Sequence, residues 1–387
     1  MKNKCGSVIV SLLFCSSLLF ATHLRSIAFG FVFEMTFLII LVFARKSIHL
    51  REFDLIIVFI ASYFTFFALI GYLNPGMGEV DLKYSVILIY GLLAFILLSI
   101  SKENIYKGLL YYSYSSAVIS FVVLLSFVLY YSGIDYLSNM LYIRSGNARA
   151  AGLLGGPNYF AISSAFAFFV SYYIWRFNSG SGWPVIFILL GTLASLSRGV
   201  ILGLFVFFIC VFIMDRVARK KIIITAVAAS AVIPFLYLTF NERILRLQST
   251  LIARFSDHGG GASTRFDLFN TTLQSLDTVD WILGSGRYDY SSAGMAYSPH
   301  NLYISTIADQ GLFGLLGYFF LFLIILFFSF SLRKHYKSFP VAVLLFCIMA
   351  ALTNDYQYVR EWWLIMALAA YFINIKRNQA RAISVFS

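Results

Sequence analysis

Apolar runs of helix length, separated by short polar joints, dominate this chain and leave it little choice of fold. A hydrocarbon core about 30 Å thick takes about 20 helical residues to cross, and these runs of roughly 15–24 residues do not alternate as barrel strands do. The expected spans are 7–22, 27–44, 54–73, 84–100, 108–131, 158–175, 183–197, 199–214, 222–240, 302–332, 339–353 and 362–375. The chain is therefore expected to be an all-α, polytopic membrane protein of about twelve transmembrane helices with one long periplasmic loop. That loop divides it into helices over 1–240, the loop itself over 241–301, and the last helices with a short tail over 302–387. Only 12% of the residues are charged, where soluble domains carry about 25%.

A formal charge of +12 suggests nucleic acid in a soluble protein, but here the lysines and arginines flank spans and set topology. Lys2 and Lys4 precede an apolar run with no small-x-small cleavage site after it, so residues 7–22 read as an uncleaved first span. Cys5, Cys15, Cys210 and Cys347 lie in or beside apolar segments without metal-ligand spacing and read as small apolar residues.

The joints alternate in charge. One set carries Lys2, Lys4, Arg45, Lys46, Arg51, Lys102, Lys107, Arg176, Arg216, Arg219, Lys220, Lys221, Arg333, Lys334, Lys337, Lys376, Arg377 and Arg381. Being short and dense in cations, that set marks the cytoplasm and puts both termini there. The opposite set, Arg25, Lys83, Arg144, Arg149, Arg198, Arg243, Arg246, Arg254, Arg265, Arg287 and Arg360, is arginine at every position but one. Topology needs only charge, and lysine serves. Arginine adds a planar fork that grips phosphate oxygens in pairs, so the bias points to an anionic ligand on the outer face. Pairing with loop carboxylates such as Asp257, Asp267 and Asp289 is the plainer account of any one of them.

Three outer joints carry the chemistry. In the first, Arg144 and Arg149 precede a glycine-rich turn, and Gly156-Pro157-Asn158 opens a span. Proline suits a helix start, where exposed backbone amides also suit an anion; capping alone accounts for the glycines equally well. The second is Ser195-Leu196-Ser197-Arg198-Gly199, in a stretch of about 32 residues between two cytoplasmic joints. Two helices must share it. About 15 residues reach roughly 22 Å, so the turn at Arg198 is expected below the outer surface. A cation there is costly unless it faces protein, water or a counter-ion.

The third is the loop itself, whose charges nearly cancel. It contains a flexible Gly259-Gly260-Gly261 hinge, an amphipathic helix from Ser263 to about Leu276, and a turn at Trp281 to Gly286 near the membrane interface. It closes on Ser298-Pro299-His300-Asn301-Leu302-Tyr303, then Gly311, Gly314 and Gly317. His300 is the one histidine held where the loop meets a span, and imidazole is the usual choice for accepting a hydroxyl proton. Walker, zinc and serine-nucleophile motifs are absent from the sequence, and the inward joints are too short for a nucleotide-sugar domain.

Ser197-Arg198-Gly199, an outer loop with Arg265, Gly284-Ser285-Gly286, and His300-Asn301-x-Tyr303 with Gly311-x-x-Gly314 together resemble the bacterial O-antigen polymerase and O-antigen ligase superfamily. Arg144 through Gly156-Pro157-Asn158 is similar to its upstream element. The resemblance spans roughly residues 140–330. It implies glycosyl transfer in the inner membrane, without metal or cofactor, from an oligosaccharide on undecaprenyl pyrophosphate, with membrane lipid and a chain-length regulator protein as further partners. By resemblance His300 is the base for the acceptor hydroxyl, and Arg198 and Arg265 hold the pyrophosphate. Arg144, Arg149, Asn158, Arg287, Asn301 and Tyr303 are expected to contribute to binding. A polymerase, which moves the chain onto the next lipid-linked repeat unit, is the preferred expectation. A ligase, which moves it onto lipid A-core, is the alternative. A transporter is the reading from another class, disfavoured because no internal repeat is visible and the polar residues gather on one face.

Overall fold

A computed structural model describes residues 104–144, 147–152, 156–220, 223, 262–285, 290, 299–354 and 360–385. The expected spans 7–22, 27–44, 54–73, 84–100 and 222–240 lie outside the described residues, as does Arg287. The chain forms two compact units, whose described parts run from Tyr106 to Lys220 and from Ala262 to Val385.

In the first unit, α1 (Asn104–Tyr131) leads through a 3-10 turn into a hairpin of β1 (Leu141–Arg144) and β2 (Asn147–Ala150), followed by α2 (Pro157–Phe177), α3 (Trp183–Ala194) and α4 (Arg198–Met214). Proline opens α2 and sits in the first turn of α3, where its missing N–H costs nothing. From Phe160 to Ile174, α2 is buried on every side, so it is the central helix of the unit. Ser113 and Ser171 bridge α1 to α2 at 2.6 Å, satisfying two hydroxyls in an apolar setting. On α1 the exposed residues Tyr111, Val118, Phe121, Leu125 and Val128 form a lipid-ready stripe.

The hairpin departs from the all-helical expectation. Its register pairs Leu141 with Ala150 and Tyr142 with Arg149. Ala150 joins Val123, Phe127, Phe160 and Ala194 in one cluster, so the hairpin is packed against α1, α2 and α3. Tyr131 accepts from the Ala148 amide at 3.3 Å and donates back to its carbonyl.

In the second unit, α5 (Ala262–Ser275) and α6 (Thr278–Leu283) precede α7 (Leu302–Phe330), α8 (Lys334–Ala351) and α9 (Arg360–Val385). The amphipathic helix expected from Ser263 is α5. The segment at Trp281 is helical rather than a simple turn, because Asp277 caps α6 by accepting from Asp280 N at 2.7 Å. Leu276, Ile307 and Ala308 form a core with Leu273, Trp281 and Leu315, docking both loop helices on α7. On the far side of the unit Tyr318 stacks on Trp363 and Phe339 meets Phe372.

Gly108–Tyr131, Pro157–Phe177 and Leu302–Phe330 are each long and apolar enough to cross a membrane; α3 and α4 are apolar but shorter. The chain is thus a multi-pass membrane protein of mainly helical build.

Candidate functional site

The short helices α3 and α4 set up the first half of the site. Twelve and seventeen residues rise roughly 18 and 26 Å, less than the hydrocarbon core. A tight turn, Ser195 to Ser197, joins the two. The β-hairpin lies over that turn. Arg149, on β2, donates from Nε to the Ser195 carbonyl at 2.9 Å and from Nη2 to Asn158 Oδ1 at 3.2 Å. One guanidinium therefore rivets the hairpin, the start of α2 and the α3–α4 turn together.

The turn is tight. Ser195 Oγ donates to the Thr192 carbonyl at 2.6 Å and accepts from Ser197 N at 3.3 Å. Leu196 adopts φ +52°, a left-handed conformation uncommon for a branched side chain. Ser197 is the N-cap of α4, with extended backbone angles suited to capping, yet its hydroxyl caps nothing. Ser197 is 1% exposed, its Oγ has no hydrogen-bond partner, and neither has the buried Nε of Arg198 beside it. Buried polar groups are almost always paired, and an orphan costs about 1–3 kcal/mol. Here two orphans and the uncapped amides of a helix start sit side by side, an arrangement ready for an anion. Ser197 was not among the expected binding residues, although its place just before Arg198 at a helix start was the available signal.

The opposite end of α4 is saturated. Asp215 accepts from Arg176 Nε at 2.8 Å and Nη2 at 2.9 Å, and from the amides of Val217 and Ala218. Burial pushes the Asp215 carboxyl up, but the Arg176 hydrogen bonds and the two amides outweigh it and hold it below the usual carboxylate range. Arg219 spends its Nε and Nη2 on the carbonyls of Phe212 and Ile213.

The second unit displays His300 in a different way. Its backbone is left-handed, φ +50°, and the residue is exposed. Asn301 is buried and caps α7: Oδ1 accepts from the amides of Tyr303 at 2.9 Å and Ile304 at 3.1 Å, while Nδ2 donates to the Leu352 carbonyl at 3.1 Å. Tyr303 donates its hydroxyl to the Ile348 carbonyl at 3.0 Å. These two side chains pin the start of α7 to the end of α8. Asn301 and Tyr303 thereby hold the backbone next to His300, a task that sequence alone did not assign them.

The glycines interlock. Gly311 breaks α7 with φ +65°, and Gly284 turns the chain after α6 with φ +80°. A Cβ on Gly284 would strike the backbone of Asp309 and Gln310, and one on Gly311 the backbone of Ile282 and Gly284. Ser285 completes the join, its N and Oγ both donating to the Ala308 carbonyl, at 3.0 and 2.9 Å.

Arg265 lies in α5 and Arg144 ends β1, but both side chains lie outside the described residues. The first unit thus joins Arg149 of the hairpin to Asn158 at the start of α2 and places the hairpin over the turn before Arg198. The second joins Asn301 and Tyr303 next to His300.

Residues 183–319 match the family model described as O-antigen ligase, which supports membership of the O-antigen ligase and polymerase superfamily. The match covers Arg198, Arg265, Arg287, His300, Asn301 and Tyr303, and stops short of Arg144, Arg149 and Asn158. No curated protein matches the chain.

Proposed function

We propose, with that family match as premise, that the chain is a glycosyltransferase that takes a glycan from a polyprenyl-diphosphate carrier at the periplasmic face of the inner membrane. The observation that supports this most is the unsatisfied end of α4: a buried arginine donor, a buried serine hydroxyl and open helix amides. Such a set suits a diphosphate, whose oxygens take charge-assisted hydrogen bonds from a guanidinium.

In the reaction an acceptor hydroxyl oxygen bonds to the anomeric carbon as the bond from that carbon to the diphosphate oxygen breaks. The hydroxyl proton passes to His300. The electron pair leaves with the polyprenyl diphosphate, whose growing charge Arg198 neutralises, with Arg265 and Arg287 as further cations from the loop. Holding that charge in a water-poor recess is where the rate gain concentrates. Arg149 and Asn158 hold the recess in shape, with Arg144 at the neighbouring hairpin strand. No metal enters, since guanidinium charge takes the role a cation has elsewhere.

The acceptor is the next lipid-linked repeat unit, which makes the protein a polymerase; lipid A-core as acceptor makes it a ligase. The transporter alternative gains no support from the family match. The decisive test is the glycan ladder of a deletion strain complemented with the wild-type chain or with His300→Ala. Loss of every band above one repeat on the core identifies a polymerase. Loss of all capped core, with lipid-bound polymer accumulating, identifies a ligase. A normal ladder with His300→Ala at normal membrane level overturns the base assignment.

A further inference from the structure

The exposed residues of α7 all lie beyond its kink. Leu312, Phe313, Leu316, Phe319, Phe320, Leu323, Phe327 and Phe330 form one helical stripe, whereas no residue from Leu302 to Gly311 is exposed. From Leu312 to Phe330 the stripe rises roughly 28 Å, close to the thickness of a hydrocarbon core. The lipid edge on this helix therefore falls at Gly311, not at His300, and the first nine residues of α7 stand above it inside protein.

That level is where α6 docks. Its far end touches Gly311 through Ile282 and Gly284. One face of α6 looks inward, with Trp281 in the core against Ile307 and Leu315. The other face leaves Val279 61% exposed, Ile282 43% and Leu283 36%. These positions, i, i+3 and i+4, share one side of the helix. In water they are an unexplained apolar patch on a polar loop. Against the stripe that begins one residue past Gly311, they continue a lipid-facing surface.

We infer that α6 is a membrane anchor within the periplasmic loop, its Val279–Ile282–Leu283 face seated in phospholipid acyl chains at the edge of the outer leaflet. Asp277 and Thr278, both exposed, mark the headgroup side. Burial, then the neighbouring Asp277 charge, raises the Asp280 carboxyl, as fits a group near that edge. The anchor fixes the height of the loop whichever glycan is moved.

The test uses the full chain in vesicles of phosphatidylethanolamine and phosphatidylglycerol. With Cys5, Cys15, Cys210 and Cys347 replaced by alanine, single cysteines at Val279, Ile282 and Asp277 carry a bimane label. Labels at Val279 and Ile282 are expected to be quenched by lipids spin-labelled high on the acyl chain and shielded from aqueous iodide several-fold relative to Asp277. Iodide access at Ile282 equal to that at Asp277 overturns the anchor, and so does silence towards both quenchers, which means protein covers the face. The unmodified chain gives a second measurement. In vesicles holding a phosphatidylcholine with a photoreactive acyl chain, adducts on the peptide containing residues 278–283 support insertion, and adducts confined to the spans overturn it.

Discussion

The two ends of α4 face opposite problems with the same chemical group. At the C-terminal end the Arg176 fork is fully matched by Asp215, itself 1% exposed and further held by two amides. At the N-terminal end Arg198 has a buried Nε with nothing to receive its proton, and Ser197 beside it is in the same state. Folding alone favours the first arrangement. The second leaves buried donors unpaired at a cost to the fold, which a bound diphosphate, as proposed above, would offset. The satisfied guanidinium secures the fold; the unsatisfied one is the group that the proposed function assigns to the diphosphate.

The sharpest way to break this contrast is to remove the acid at the saturated end. Asp215→Ala leaves the half-buried Arg176 without its counter-ion and should cost about 3 kcal/mol of stability, the low end for a broken buried pair. Thermal unfolding in detergent should show it, while turnover per folded molecule stays near wild type. A selective loss of turnover without unfolding would mean that both ends serve the reaction. Arg198→Lys should do the reverse. Charge is kept but the fork is lost, and transfer from a lipid-linked donor in proteoliposomes should fall about 100-fold or more, with the unfolding midpoint little changed. Arg149→Met removes the rivet between the hairpin and the α3–α4 turn. It should cost about 1.5–3 kcal/mol, as hydrogen bonds to a charged group do, and reduce transfer only through that loss.

The smallest effect is on pH. The folded Asp215 carboxyl titrates lower than the unfolded one, so its pair stabilises the fold fully above about pH 4, the ordinary carboxylate value, and is lost as pH falls through the folded value. A scan of unfolding midpoint against pH should bend downward there in the wild type and lose that bend in Asp215→Ala. Arg198→Lys should keep it.

Much of this was readable from residue order. Hydropathy and the proline at 157 placed α2 within a residue or two, and crossing parity forced two short helices between Trp183 and Met214. That both would be too short for a full crossing followed from arithmetic on helix rise. The hairpin did not, because two four-residue strands carry too few alternations to register against a background of apolar runs; Ser145-Gly146, a turn dipeptide between them, was the missed sign. The work of Arg149 and Asn301 was also hidden. Their acceptors, the carbonyls of Ser195 and Leu352, lie about fifty residues away in sequence, and a carbonyl leaves no mark in a residue code.

The broken α7 has a mechanical consequence for the base role proposed for His300. His300 sits at the end of an arm that starts at the Gly311 kink, about 16 Å long at 1.5 Å per residue. A swing of about ten degrees about that kink would carry the imidazole through about 3 Å, the whole reach of a hydrogen bond. The bonds from Asn301 and Tyr303 to α8 act at the far tip of the arm, where a brake has the most purchase. On the proposed reading, whatever loosens those two contacts would detune His300 without touching it.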